Sequence, residues 1–358
     1  MSKDVILDKY ARLYEIPNQL SILGHDVECF CLSYQSHNEG IWDESNVVRN
    51  LKWHSHSYLG LNKSKILFYP FYLLNKISKN KPDLIIAASD IPHIVIGKWI
   101  AKKLNIPFVI DLYDNFEAYG QAKIPFLKTL FHNALSSADI ISTTSLSLAE
   151  KIRKEHPTIS NIYTMPSVIN KSLFEPGDKL AARSHLNLPL DKFLIGTAGA
   201  LTRKKGIEDL FKAWEIIKKQ HKNTYLVLAG PTEALTQLPH DNRVIYLGLL
   251  SHEDVVKLFQ SLDVGVLCIP DDEFGRYCFP QKAYEMLACK LVIISAKVGD
   301  MKILLKNQTN HLYNTGDYQD LSQKVLLQLK LVNDHTDIPI SDWKQVVAGL
   351  EYYLNQLI

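Results

Sequence analysis

The feature that most constrains this chain is an alternation of short apolar strands and amphipathic helices that runs once, breaks, and runs again. In the first run the strand candidates are residues 26–32, 84–87, 108–112 and 140–143, with helical stretches between them such as 94–104 and 145–154. A further helix over 10–23 precedes them and is expected to bend or restart at Pro17. That order predicts a parallel sheet covered by helices on both faces. Residues 163–190 then mix Pro166, Pro176, Gly177 and Pro189 with a single short helical piece, 179–186, and read as a connection between domains. The second run follows: strands 193–196, 225–229, 244–247, 264–268 and 292–295, and helices 207–219, 253–261 and 281–289. The expectation is two Rossmann-like α/β domains, residues 1–168 and 169–340. A C-terminal helix, 341–358, should pack back on the first of them through Trp343, Val346, Val347, Leu350, Leu354 and Leu357. The beginning is unusual, because only Val5-Ile6-Leu7 is available for a first strand; the chain either has a very short one or lacks its original start.

A length of 358 residues suits two domains of ordinary size. Forty basic against 38 acidic residues leave a formal charge of +2, which offers no global reason for nucleic-acid binding. The five cysteines are scattered without metal-ligand spacing, and Cys29 and Cys31 read as packed strand residues in a reducing compartment. The N-terminus carries Lys3, Asp4, Asp8 and Lys9 where a secretion signal would be apolar, and the longest apolar run, 66–74, contains Pro70 and is too short to span a bilayer. A cytoplasmic protein is expected.

Two segments carry chemistry. The first, residues 194–206, ends a strand at Gly196 and Gly199 and then places Arg203, Lys204 and Lys205 before a helix. Glycines permit close backbone approach and the cations supply charge-assisted bonds, a combination suited to a diphosphate. The spacing is neither that of a dinucleotide-binding fingerprint nor that of a P-loop. The second, residues 271–289, puts Pro280 in the first turn of a helix and Glu285 in its second. A carboxylate on an otherwise apolar helix needs partners: paired ribose hydroxyls would serve, and so would a salt bridge to Lys282, which could instead point at phosphate.

Residues 196–214, 226–231, 244–250 and 279–294, in this order and at this spacing, resemble the donor domain of a GT-B glycosyltransferase of the family 4 type. The first half agrees more weakly, through Gly24-His25-Asp26-Val27, Lys81-Pro82-Asp83, Ile106-Pro107 and Ser137-Ala138-Asp139. The resemblance implies that Lys205 contacts the donor diphosphate and Glu285 the ribose. The base would lie near Gly230, Pro231, Leu247, Gly248 and Leu249, and the helix behind Phe279 and Pro280 would present backbone N–H groups to phosphate near Gly199. It also implies retention of anomeric configuration, with no cofactor, no essential metal and no carboxylate nucleophile. Arg203, Lys205 and the Pro280 helix start are then the electrostatic catalysts.

Three positions depart from the family pattern. Ala200 stands where an Arg is frequent, so Arg203 or Lys204 must substitute. Tyr277 stands where the first Glu is expected, leaving Asp272 and Glu273 to compete for its role, and Tyr113, beside Asp114, replaces a His in the acceptor half. Arg12, Tyr113 and Asp114 are the acceptor-side candidates, although a solvated surface position is the more ordinary reading of Arg12. Between residues 46 and 110 there are ten basic and two acidic residues, interleaved with Trp53, Phe68, Tyr69, Phe71 and Tyr72. Exposed aromatics beside cations suit an anionic membrane face and a lipid-linked acceptor; the alternative is core aromatics behind a solvated basic face. The function expected is sugar transfer from a nucleotide sugar to a glycan or lipid-linked acceptor of the cell surface. A non-hydrolysing sugar-nucleotide 2-epimerase and a non-catalytic partner of the same fold are the alternatives.

Overall fold

The structure, a computed structural model, describes residues 4–9, 11–33, 39–47, 49–57, 63–233, 236–331 and 341–358. The chain divides into two compact units, residues 1–168 with 341–358, and residues 169–340.

The first unit contains strands β1 (Asp26–Ser33), β2 (Gly40–Asp43), β3 (Asn50–Ser57), β4 (Ile85–Ala87), β5 (Phe108–Leu112), β6 (Ile140–Thr143) and β7 (Ile162–Thr164). Its helices are α1 (Ala11–Ile22), α2 (Lys63–Ile77), α3 (Ile91–Leu104), α4 (Leu127–Leu135) and α5 (Leu146–Glu155), joined by the C-terminal α12 (Trp343–Leu354). The strands form two sheets, β1-β3-β2 and the parallel β4-β5-β6-β7. Parallel β1 and β3 pair from Asp26 opposite Asn50 to Ser33 opposite Ser57, and β2 runs antiparallel to β3. Every residue of β5 and β6 is buried, as expected for central parallel strands covered on both faces. The docked face of α12, made by Val346, Val347, Leu350 and Leu354, packs with Ile16 and Leu20 of α1, Val109, Ile140 and Met165.

Several expectations are corrected here. Residues 5–7 form a turn, with Ile6 buried beside Tyr14, Leu51 and Trp53. The helix α1 runs through Pro17 as one element, while Tyr10, its expected first residue, lies outside the described residues. The apolar run at 66–74 belongs to α2, again with its proline inside. Strand β7 falls in the segment read as a connection, and β2 and β3 were not foreseen. Trp53 is 1% exposed, stacked on Tyr14 with ring centroids 5.5 Å apart, and Tyr69 is equally internal, so neither is a surface aromatic.

Arg12 is the largest correction, because it faces neither solvent nor an open surface. It is 2% exposed, and its Nε and Nη2 donate to Asp111 Oδ2 and Oδ1 at 3.1 and 2.5 Å. Nη1 donates to the Met165 carbonyl at 2.6 Å and Nη2 also to Ser142 Oγ at 3.0 Å. A carboxylate in the middle of a doubly covered strand is tolerable only when paired and fully bonded, and the guanidinium fork supplies both.

The second unit contains α6 (Lys179–His185), β8 (Phe193–Ala198), α7 (Glu208–Gln220), β9 (Thr224–Ala229), β10 (Val244–Tyr246), α8 (His252–Ser261), β11 (Val264–Leu267), α9 (Gln281–Ala288), β12 (Val292–Ala296), α10 (Met301–Leu304), β13 (Leu312–Tyr313) and α11 (Tyr318–Gln328). Its six strands form one parallel sheet in the order β10-β9-β8-β11-β12-β13. Alternate residues feed opposite faces: Leu194 and Val227 join Phe259, Met286 and Leu287 in one core, whereas Ile195, Leu226 and Leu228 join Leu210, Trp214 and Ile217 in the other. This half follows the expected element order closely; only β13, α10 and α11 are additions.

Replacing Arg12 with Ala should leave Asp111 without its partner in the core, at a cost of about 3–5 kcal/mol, and Arg12→Lys should not restore the bidentate geometry. Thermal unfolding of the two variants checks this, and a wild-type Tm in either would show the pair to be dispensable.

Candidate functional site

In the second unit the strand order turns outward in both directions from β8 and β11, so the connections leaving their carboxyl ends diverge and open a crevice. This is the topological switch point where ligands sit in open α/β sheets. Residues 199–207 leave β8 and residues 268–280 leave β11, and these are the two segments singled out in the sequence.

The backbone is drawn close at this point. Gly199 and Gly230 have φ of +121° and +123°, and a Cβ on Gly230 would collide with the Gly199 carbonyl. Gly199 N donates to Ala229 O at 2.9 Å and Leu201 N to Pro231 O at 2.8 Å. The residues expected at the base are gathered alongside: Gly230 N donates to Gly248 O at 2.7 Å, Leu247 N to Leu228 O at 2.9 Å, and the Tyr246 hydroxyl to Gly230 O at 2.8 Å. Leu249 projects into solvent with 77% exposure.

Of the expected cations, Lys205 and Lys282 converge. The Lys282 ammonium lies against Gly199, where a Cβ would touch it. Although Lys282 as a residue is exposed, its ammonium is crowded by protein; that desolvation first, and the charge of Lys205 second, lower its pKa. The Lys205 ammonium sits 3.8 Å from the Phe274 ring centroid. Among the described residues neither lysine has a carboxylate within ion-pair distance, and Lys282 makes no hydrogen bond.

Glu285 completes the group on the same helix as Lys282. Burial raises its pKa, against a hydrogen bond from Gln281 and the charge of Lys282. Gln281 Nε2 donates to Oε1 at 2.9 Å, and Oε2 has no partner among the described residues.

Other expected residues are engaged elsewhere. Arg203 Nε lies 2.9 Å from Glu208 Oε1, both side chains being exposed, so it does not join Lys205. Glu208 and Asp209 occupy the first turn of α7 and already offset its positive end. Pro280 is the N-cap of α9 rather than its first residue, and the Gln281 and Ala283 amides are spent on the Phe279 and Pro280 carbonyls, each at 2.9 Å. Phe279 instead lines the helix start, its ring 4.8 Å from that of Tyr284. Asp272 accepts from the Phe274 and Gly275 amides at 3.0 and 2.7 Å, shaping the loop, while Glu273 lies 3.9 Å from Arg276.

In the first unit two of the acceptor candidates, Tyr113 and Asp114, stand at the carboxyl end of β5. Asp114 accepts from the Tyr119 hydroxyl at 2.5 Å and the Asn115 amide at 2.8 Å. Burial, then the charges of Asp114 and Asp90, push the Tyr113 phenol up to about 12. Sequence reasoning missed Asp90 and His93, which cap α3 at the end of the neighbouring β4; Asp90 accepts from the His93 amide at 2.9 Å and lies 2.7 Å from its Nδ1. The signal was present, since Asp90-Ile91-Pro92-His93 is a helix start with Pro inside the first turn.

Residues 11–172 match the family described as Glycosyltransferase Family 4, and residues 192–330 the one described as Glycosyl transferases group 1. The chain is 27% identical over 247 residues to TuaC of Bacillus subtilis, described as a teichuronic acid biosynthesis glycosyltransferase, covering 68% of this chain and 60% of that protein. It is 24% identical over 165 residues to the capsular polysaccharide biosynthesis glycosyltransferase CapM of Staphylococcus aureus, covering 44% and 41%. The chain thus spans 60% or less of the length of these relatives. Among solved structures, sucrose-phosphate synthase of Thermosynechococcus elongatus superposes with a TM-score of 0.68 at 17% identity, over 96% of this chain and 92% of the other. HepE of Anabaena, solved with UDP, superposes with 0.64 at 16% identity, over 86% and 87%. At such identities these likenesses establish the fold.

Because burial raises the Glu285 pKa, the folded state penalises its ionised form. The stability associated with the protonated acid is complete below the unfolded value and declines as pH rises through the folded one. Glu285→Gln should therefore raise Tm at pH 7, with the gain vanishing below about pH 4; a lowered Tm at pH 7 in a pH series of thermal melts would contradict the placement.

Proposed function

The chain belongs to the family 4, group 1 glycosyltransferases, and from that premise we propose that it moves a sugar from a nucleoside-diphosphate sugar to a glycan or lipid-linked acceptor in cell-surface polysaccharide assembly. The observation that carries this reading is a pair of ammonium groups without carboxylate partners among the described residues: Lys282, beside the Gly199 turn and one helical turn from Glu285, and Lys205, over the Phe274 ring and close enough for its charge to act on Lys282. A crowded cation with no partner holds electrostatic energy that only an arriving anion releases. Names of relatives that act in teichuronic acid and capsule synthesis, and a fold-mate solved with UDP, point the same way.

In this reading the diphosphate lies across Lys205, Lys282 and the Gly199 backbone, and the ribose hydroxyls donate to Glu285. Rupture of the bond between the anomeric carbon and the phosphate oxygen leaves positive charge on the sugar ring and adds negative charge to the leaving group. Lysines that meet this growing charge more strongly than the ground-state ester lower the barrier. A departing phosphate oxygen on the face where the acceptor hydroxyl arrives can take its proton, and the new bond then forms with retention. The lysines neutralise the leaving group, and no cofactor takes part in these steps.

Lys205→Ala, Lys282→Ala and Glu285→Gln should each lower kcat/KM for the donor by at least about tenfold, or ~1.4 kcal/mol. A thermal-shift screen of UDP, GDP and dTDP identifies the nucleotide, since binding to the folded state raises Tm. Unchanged kinetics in all three variants would remove the donor site, and epimerisation of the donor without an acceptor would favour the sugar-nucleotide 2-epimerase reading.

The lipid-linked acceptor draws support from α2, where Leu67, Phe68 and Phe71 are 75%, 66% and 60% exposed on one side, with Tyr72 and Lys76 next to them. Among the described residues no helix is long and apolar enough to cross a membrane. Contact with an anionic surface through this helix would combine apolar insertion with attraction of about 1 kcal/mol per nearby cation. Sedimentation with phosphatidylglycerol vesicles should exceed that with phosphatidylcholine vesicles and fall at least fivefold in Phe68→Asp/Phe71→Asp; equal pelleting of variant and wild type would rule out this face.

A further inference from the structure

On the first unit, apart from every residue discussed so far, two imidazoles face each other. Nδ1 of His132, on α4, lies 2.9 Å from Nε2 of His156, the residue that follows α5. The proton positions follow from their outer partners. His132 Nε2 is 3.0 Å from Glu117 Oε1. Glu117 also meets the ammonium groups of Lys128 and Lys151, and its carboxylate accepts the Nε2 proton of His132. In the neutral ring that leaves Nδ1 of His132 with a lone pair.

The same count applies to the second ring. His156 Nδ1 is 3.0 Å from Ser136 Oγ, whose hydroxyl proton is already donated to the His132 carbonyl at 3.0 Å. The hydroxyl oxygen accepts from His156 Nδ1–H, which leaves a lone pair on Nε2. With both rings neutral, two lone pairs point at each other across 2.9 Å, an arrangement relieved by a cation between them, whether a proton or a metal ion. Glu155 is the third element: its carboxylate and both imidazoles offer ligand atoms that all lie within 4.8 Å of one another. Glu155 and His132 are partly open to solvent, giving an ion a way in, whereas His156 is buried.

We propose that His132, His156 and Glu155 form a binding site for a divalent transition-metal ion of the zinc type, tying α4 to the end of α5. Two imidazole nitrogens and one carboxylate oxygen suit zinc, with a fourth position for water. Each ring is already held from behind, His132 by a carboxylate and His156 by a hydroxyl, which is the outer support that ligating histidines ordinarily have. Nitrogens bound to one tetrahedral zinc stand about 3.3 Å apart, so the rings need separate by only about 0.4 Å. The charged groups around the site are Glu117, Glu155, Lys128 and Lys151, with Lys151 bonded to both acids. Their charges cancel, so the ion's charge is not offset in advance and binding of moderate strength is expected.

The site stands independently of glycosyl transfer, and its test needs no activity measurement. Full-length protein without a histidine tag, stripped with chelator, is titrated with Zn2+ by calorimetry and with Co2+ by visible absorption. One ion per chain is expected, with cobalt bands of four-coordinate intensity, a higher Tm in the presence of zinc, and affinity at least tenfold weaker at pH 5.5 than at pH 7.5. His132→Asn and His156→Gln should each weaken binding at least tenfold, and Glu155→Gln less. Far-UV circular dichroism of the metal-free variants shows that they are folded; should a histidine variant not fold, the cobalt spectrum of the wild type and the Glu155→Gln titration decide. Absence of binding by the wild type, as a proton shared between the rings would give, overturns the proposal, and so does binding that survives in the His132→Asn/His156→Gln double variant.

Discussion

A carboxylate lies in the middle of a strand with no access to water, and much of the first unit is arranged around satisfying it. Asp111 belongs to β5, whose five residues are all buried. Its two oxygens are taken by one guanidinium, which also closes on Ser142 of β6 and on the Met165 carbonyl just beyond β7. One side chain from α1 thereby fixes that helix against three consecutive segments of the sheet. With α1 held, Ile16 and Leu20 offer the apolar surface on which α12 docks, so the last helix of the chain depends on an ion pair near its start. The second unit uses the same device: Arg183 of α6, 4% exposed, donates to the Ser261, Leu190 and Lys192 carbonyls and to Asp263. Arginine suits both positions because its five donors lie in one plane and it never loses its charge.

The crevice beyond β8 and β11 is built on the opposite principle. Lys205 and Lys282 carry charge that no described carboxylate neutralises, and Glu285 keeps one oxygen unbonded in surroundings that raise its pKa. Arg203, by contrast, closes on Glu208. Partnerless charge at a switch point costs folding energy and is retained where a ligand repays it. On the first unit, the histidines at α4 and α5 bring two ring nitrogens to 2.9 Å of each other beside Glu155.

How far the sequence could be read differs between the halves for physical reasons. In the second unit the buried strands are short unbroken apolar runs and the helices have one apolar face, so β8 to β12 and α7 to α9 were evident from periodicity alone. In the first unit β3 was missed because Leu51 and Trp53 alternate with Lys52, His54 and His56, a half-buried pattern disguised by two histidines. The strand β13 has only two residues and is held by Ser295 and Ala296 of β12, which no local pattern announces. Among the basic-region aromatics, Phe68 and Phe71 are at the surface while Trp53 and Tyr69 are inside; composition cannot sort residues between the two faces of one element.

The sequence by itself determined the two α/β halves, the glycine-rich turn after β8 and the placement of Lys282 and Glu285 one helical turn apart, because these depend on periodicity, backbone freedom and spacing along a helix. Tertiary structure alone decided which charges are partnered. Arg12 meets an aspartate 99 residues away, Arg203 turns to a neighbouring glutamate instead of joining Lys205, and His132 meets His156 across two helices. Pairing depends on distance in space, and strand order, which brings remote segments together, is set by the packing of whole faces and not by any local run of residues.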